Sequence, residues 1–322
     1  MITGRILHFQ RLSTEDGPGI RTTLFFKGCP LHCAWCHNPE SISSQLQTHW
    51  FAVRCIGCQT CVEICPHGCI TMAESGLVID CERCEVCGKC VEACPSGARE
   101  MLGRSITVDE ALAELIKDRS FYEKSGGGIT LSGGEPTYQP DFSEALLRGL
   151  KQQGISTALD TCGLTSIRTL ERLLPYTDLL LFDMKLLDSE LHRVYTGATN
   201  QVILENLAFI HAYLECVPSD IKLWIRTPLI PGATDTDENL SAIGHYLADH
   251  LDGWVARWEL CAFNNLCRDQ YLRLGLEWIY ANTPLLSQGE VLHCEEIAKA
   301  AFNHPERVHV TGATRLEAAL QE

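Results

Sequence analysis

Cys29-Pro-Leu-His-Cys33-Ala-Trp-Cys36 sets three thiols at spacings of three and then two residues, straight after the apolar run Thr22-Thr-Leu-Phe-Phe-Lys27. A β-branched and aromatic run bounded by glycine predicts a buried strand. The cysteines then lie on the loop at its C-terminal end. Three thiolates do not close a tetrahedral structural zinc site, which takes four ligands. They can hold three irons of a cubane iron–sulfur cluster, whose usual complement is four cysteines. The fourth iron is then open to a ligand. A structural metal knuckle is the plainer reading of the same thiols, and a three-ligand spacing describes it poorly.

Upstream, residues 6–13 read as a first strand, followed by the tight turn Asp16-Gly-Pro-Gly-Ile-Arg21. Downstream, residues 37–50 read as a polar linker. Two cysteine runs follow: Cys55, Cys58, Cys61 and Cys65-Pro66, then Cys84, Cys87, Cys90 and Cys94-Pro95. This is the bacterial ferredoxin pattern written twice. In two-cluster ferredoxins the fourth cysteine of each run ligates the other cluster. One cubane is therefore assigned to Cys55, Cys58, Cys61 and Cys94, the other to Cys84, Cys87, Cys90 and Cys65. A register starting at Cys81 is an alternative, and the chosen set leaves Cys69 and Cys81 as spares. Tandem zinc ribbons are the competing reading, but they use paired knuckles rather than four-cysteine runs.

The chain has 322 residues, 26 Lys+Arg against 41 Asp+Glu, a formal charge of -15 and 18 cysteines. That length suits one barrel-sized domain plus a small module. So acidic a chain is a poor phosphate-backbone binder, which counts against nucleic acid. No apolar stretch is long enough to span a bilayer. No long apolar segment follows Met1-Ile-Thr-Gly-Arg5, and clustered thiols without one indicate metal binding in a reducing, cytoplasmic and oxygen-poor setting.

Beyond Gly103 the pattern alternates. Helices are expected over 108–119 (Thr107 as N-cap, Glu110 completing the cap), 141–153, 166–174, 204–214, 237–251 and 287–302. Strands are expected over 129–131, 155–159, 178–182, 221–225, 254–260 and 307–310. Strands separated by such helices imply parallel β/α units, whose sites form at the C-terminal strand ends. The expected fold is α/β: a partial (β/α)6 barrel over residues 1–50 and 101–322, with a ferredoxin-like insert over 51–100 carrying two 4Fe-4S clusters.

The CxxxCxxC spacing resembles the radical S-adenosylmethionine (radical SAM) superfamily. With Asp16-Gly-Pro-Gly-Ile-Arg21 before it, the chain resembles the glycyl-radical-enzyme activating enzymes, best known from pyruvate formate-lyase activating enzyme. That enzyme lacks the insert. The insert-bearing branch serves decarboxylases, dehydratases, C–C and C–N lyases and fumarate-adding synthases.

The resemblance implies roles residue by residue. Cys29, Cys33 and Cys36 would hold the cluster whose open iron takes S-adenosylmethionine. Gly133-Gly134-Glu135-Pro136 would bind the methionine ammonium. Asp160, Thr161 and Asp183 would hold a monovalent cation (Na+ or K+) beside the methionine carboxylate. Lys185 would lie near substrate and cofactor, and Arg226 would contact the cofactor. Asp16 would hold the partner's glycine loop. Where many of these activases carry Pro-Tyr-His, this chain reads Ala262-Phe263-Asn264-Asn265. Asn264 thus stands in for a histidine and cannot take its charge.

The implied activity is reductive cleavage of S-adenosylmethionine to a 5′-deoxyadenosyl radical, which takes hydrogen from a glycine of a partner glycyl radical enzyme. The implied cofactors are three 4Fe-4S clusters and S-adenosylmethionine; the implied electron donor is a flavodoxin or ferredoxin. A radical SAM enzyme acting on a small molecule or RNA is one rival, against which the Asp16–Arg21 motif counts. An electron-transfer protein is the other, against which the three-cysteine motif and Gly-Gly-Glu-Pro count.

Overall fold

Along Lys222–Leu229 burial alternates: Leu223, Ile225, Thr227 and Leu229 are buried, whereas Trp224, Arg226 and Pro228 are only partly so. A pleated strand turns successive side chains to opposite faces. The odd positions here pack into the main apolar core, and the even positions form an inner face with Ala158, Leu179 and Leu181 of neighbouring strands. That alternation decides which residues can reach a site.

The computed structural model describes residues 1–74, 76–80 and 82–315, so Cys81 and the alternative register that uses it lie outside the described residues. The strands are β1 (Thr3–Ser13), β2 (Arg21–Phe26), β3 (Gln47–Trp50), β4 (Ile70–Ala73), β5 (Gly76–Ile79), β6 (Arg99–Leu102), β7 (Arg104–Thr107), β8 (Gly128–Gly133), β9 (Thr157–Thr161), β10 (Leu179–Asp183), β11 (Lys222–Leu229), β12 (Val255–Ala262) and β13 (Val308–Thr311). Nine of them form one sheet in the order β13-β12-β11-β10-β9-β8-β2-β1-β7. From β2 through β8 to β13 neighbours run parallel, while β1 is antiparallel to both β2 and β7. This is a mixed α/β fold with a central parallel sheet.

Helices Pro140–Gln152, Gln201–Cys216 and Asp237–His250 bury Leu146, Leu150, Leu207, Ile210, Leu240 and Leu247 in that core. Burying each such leucine contributes about 1.5–3 kcal/mol, and the packed layer holds the strands in position. The expected cap is present: Thr107 and Glu110 form a reciprocal capping box at the start of Val108–Leu115.

Several elements differ from expectation. The stretch 37–50 is not all linker, since it contains the helix Pro39–Ile42 and strand β3. β3 pairs antiparallel with β6, some fifty positions on, so no local signal announces it. Asp160, Thr161 and Asp183 end their strands as expected, with the strands running one or two residues past the expected 155–159 and 178–182, whereas Arg226, expected at a strand end, lies inside β11. Ladder pairing with neighbours, Phe182 to Thr161 and Arg226 to Asp183, extends these strands beyond their apolar runs. The short elements β7, Ser189–Thr196 and Arg268–Leu274 carry too few periods to be seen. Among the described residues no helix is long and apolar enough to cross a membrane.

Candidate active site and cysteine cavities

The loop after β2 and the inner ends of the parallel strands enclose a cavity of about 750 Å³. It is lined by Cys29, Cys33 and Cys36, by Gly133 and Gly134, by Asp160 and Thr161, by Asp183 and Lys185, and by Arg226 and Asn264. Residues that span more than two hundred positions of sequence therefore share one wall, because each sits at the same end of adjacent strands.

The paired glycines serve contact between backbones. Gly134 N–H donates to Phe26 O at 3.0 Å and Glu135 N–H to Gly28 O at 2.8 Å. A Cβ on Gly134 would stand 2.5 Å from Gly28 O, and one on Gly133, whose φ is +97°, 2.6 Å from Phe25 Cα. Only glycine lets the end of β8 press this closely on the chain entering Cys29. Gly134→Ala is expected to displace the three-cysteine loop and lower iron retention there, with the iron of residues 51–100 unchanged. Iron analysis of purified protein checks this; full retention would contradict it.

Glu135 stands behind this wall rather than on it. It is 1% exposed. Its carboxylate accepts from Thr137 N–H at 3.0 Å, Thr161 Oγ1 at 2.9 Å and Cys162 N–H at 2.7 Å. Thr161 is therefore occupied as a donor to Glu135, and the pair ties the end of β9 to that of β8.

Asp160 is the cavity's demanding group. Its Oδ2 accepts from Ser132 Oγ at 2.6 Å and lies 3.4 Å from Arg226 Nη1. Its Oδ1 is buried without a partner. Burial pushes its carboxyl up to about 7, Arg226 pulls the other way, and Asp183 pushes it further up. Arg226 also lies 3.2 Å from Glu259 Oε2, off the hydrogen-bond direction. Asp183 is paired with the Lys185 ammonium. Burial alone would pull Lys185 down, but Asp183 and the thiols of Cys33 and Cys162 hold it above its ordinary range. Burial raises Cys33 to about 12, opposed by Lys185. Iron binding would release that proton, and a fixed ammonium beside the thiolates favours it.

Asp16 is half-buried. Its Oδ2 accepts from Ser13 Oγ at 2.5 Å and Thr23 Oγ1 at 2.6 Å, and its carbonyl from Thr130 Oγ1 at 2.8 Å. These bonds hold the turn against the inner face of β2 and β8. Its neighbour Glu15 reaches the cavity wall. Asn264 acts through its backbone, whose carbonyl meets His37 Nε2 at 3.0 Å, while its Oδ1 accepts from Leu266 N–H at 3.2 Å.

Sequence reasoning misses the cover over the cysteine loop. Tyr271 Oη donates to Cys36 O at 2.9 Å, and Trp278 Nε1 to Ala34 O at 2.9 Å. The two rings stack at 5.0 Å within an apolar cluster that includes Trp35 and Phe263. Their scattered positions in sequence give no motif.

Between residues 48 and 99 lie two further cavities. One is lined by Cys55, Cys58, Cys61 and Cys94, the other by Cys65, Cys84, Cys87 and Cys90. The fourth cysteine of each run has thus crossed to the other set. Cys69, read as a spare, lines the second cavity, with its sulfur 3.4 Å from that of Cys65. Among the described residues no three His, Cys, Asp or Glu side chains form a site for one metal ion.

The radical SAM superfamily matches residues 23–241. The (2S)-3-sulfopropanediol dehydratase activating enzyme of Klebsiella oxytoca is 35% identical over 301 residues, 92% of this chain and 93% of that protein. The isethionate sulfite-lyase activating enzyme of Oleidesulfovibrio alaskensis is 45% identical over 254 residues, 77% and 80% of the two chains. The trans-4-hydroxy-L-proline dehydratase activating enzyme of Clostridioides difficile is 44% identical over 236 residues, 73% and 76%. The chain belongs to the radical SAM superfamily and, within it, to the activating enzymes of glycyl radical enzymes. It is a radical SAM oxidoreductase that generates a 5′-deoxyadenosyl radical, and its cofactors include S-adenosylmethionine and a 4Fe-4S cluster.

Proposed function

We propose that the chain is a partial (β/α)6 barrel with a ferredoxin-like insert over 51–100, that it holds three 4Fe-4S clusters, and that a flavodoxin or ferredoxin supplies its electrons in a reducing cytoplasm. The observation that carries the reading is the shared cavity of Cys29, Cys33 and Cys36 with the unpartnered Asp160 Oδ1. Three thiols suit three irons of a cubane, and a buried, lone carboxylate oxygen suits a cation. Cys55, Cys58, Cys61 and Cys94, and Cys65, Cys84, Cys87 and Cys90, would hold the other two clusters.

When bound, the reduced cluster and S-adenosylmethionine supply the hydrogen-abstracting radical. The chain's own residues bind, orient and shield. Asp160 offers Oδ1 to the methionine ammonium or, with Asp183, to a monovalent cation. Glu135 positions Thr161 and Cys162; the Gly133–Gly134 backbone, not the Glu135 carboxylate, faces the ligand. Arg226 and Lys185 balance negative charge, one at the methionine carboxylate, the other at the cysteine thiolates. Tyr271 and Trp278 keep water from the outer side of the cluster loop.

The substrate is a glycine on an extended loop of a partner enzyme. Hydrogen transfer requires the reacting atoms within roughly 3–3.5 Å, so that loop must leave its own protein and enter this cavity. Asp16 Oδ1 has no protein donor among the described residues, and the rigid turn behind it suits a clamp on a passing backbone. Asp16→Ala is expected to leave 5′-deoxyadenosine formation without partner intact while the partner's glycyl radical, read by electron paramagnetic resonance, falls sharply. Normal radical yield in the variant would reduce Asp16 to a turn residue.

A further inference from the structure

Arg99 opens β6 and is 2% exposed, the only buried charged side chain among the described residues from 51 to 100. Its Nη2 donates to Thr48 Oγ1 at 2.6 Å and to Cys90 Sγ at 3.5 Å. The same residue lines the cavity of Cys55, Cys58, Cys61 and Cys94, whereas Cys90 belongs to the cavity of Cys65, Cys84 and Cys87. Arg99 therefore stands between the two sets of four thiols. Its Nε and Nη1 are buried with no acceptor.

A guanidinium stripped of water needs a counter-charge and acceptors for its donors. The acceptors it has are one hydroxyl and one sulfur, neither of them a carboxylate. Four thiolates around a cubane supply negative charge on either side. The two runs also differ here: Cys94-Pro-Ser-Gly-Ala98-Arg99 matches Cys65-Pro-His-Gly-Cys69-Ile70, so the positive charge occurs once for two sites. An arginine after Gly-Ala at the end of a cysteine run reads as a surface residue, and only the pairing of β6 with β3 turns it inward.

We infer that Arg99 is a shared counter-charge fixed between the two insert clusters, raising the reduction potential of both. This rests on the cluster reading of the eight cysteines proposed above. Reduction adds an electron to an already anionic centre, so a fixed cation favours the reduced form. Charge, hydrogen bonds to the sulfurs and burial are the levers that set such potentials. Thr48 anchors the guanidinium in place, and the contact to Cys90 adds a hydrogen bond to that site's sulfur. Arg99 acts on the clusters through position and charge and touches no substrate.

The test uses the full chain with Cys29, Cys33 and Cys36 replaced by alanine, so that only insert clusters remain. Iron content and redox titrations followed by electron paramagnetic resonance are compared for that parent, Arg99→Gln and Arg99→Lys. The parent should hold about eight irons at four per cluster. A parent without them removes the cluster reading itself, and this inference with it, independently of any change at Arg99. Arg99→Gln should keep the iron, and the reduction equilibria of both clusters should shift at least about tenfold toward the oxidised form, or about 59 mV for one electron. Arg99→Lys should restore most of the shift. Unchanged potentials in a fully loaded Arg99→Gln overturn the inference, as does a loaded Arg99→Lys as shifted as the glutamine variant. Iron loss in both variants would make Arg99 a folding residue only, and would overturn it equally.

Discussion

Replacing Cys29, Cys33 and Cys36 together by alanine is expected to abolish S-adenosylmethionine cleavage and to remove about a third of the iron, or about four of about twelve atoms. The three thiols share one loop and one cavity, and Lys185 is the cation set among them. The cysteines of residues 51–100 line separate cavities and share no residue with that loop. Loss at one place should therefore leave the others filled. The remaining iron should still be reducible, while no 5′-deoxyadenosine forms. Full iron loading in the triple variant would remove the cluster assignment. Iron loss from all sites at once would remove the reading of the cysteines of residues 51–100 as ligands of two further clusters.

Asp160→Asn is expected to weaken S-adenosylmethionine binding strongly with iron content intact. Removing one partner of a desolvated charged contact costs about 2–5 kcal/mol, or roughly 30- to several-thousand-fold in affinity. The same carboxyl predicts a pH dependence. Burial holds this group up to about 7, and a cationic ligand binds only the ionised form. Below that value binding must release a proton, so affinity should fall about tenfold per unit as pH drops, and should be level above it. The asparagine variant should lack this slope. Titration of binding against pH checks both points: a slope unchanged in Asp160→Asn would assign it to another group, and wild-type affinity would discard the role.

What could be read from sequence follows from the range of each signal. The strands of the parallel sheet announce themselves by apolar runs between helices, because both faces of most are covered. The division of eight cysteines into two runs is legible in the spacing, the exchange of the fourth cysteines comes from the ferredoxin pattern, and the structure places Cys94 and Cys65 in the cavities of the opposite runs. Glu135 shows where such reasoning stops. Gly-Gly-Glu reads the same whether the carboxylate meets a ligand or, as here, Thr161 and Cys162. The choice depends on β9 lying beside β8, which is a tertiary fact. Arg99, Tyr271 and Trp278 belong to the same class: each gains its meaning from a partner far along the chain. Asp160 falls between, since its place at a strand end is legible, whereas its unpartnered oxygen is not.

The most direct measurement of the central claim combines the anaerobically reconstituted protein with S-adenosylmethionine, a low-potential reductant and a glycyl radical enzyme from its own organism as partner. Electron paramagnetic resonance of the partner should show a glycyl radical that is absent without S-adenosylmethionine and absent when the partner glycine is replaced by alanine. Consumption of S-adenosylmethionine with no radical on that partner, while a small molecule is transformed instead, would contradict the account.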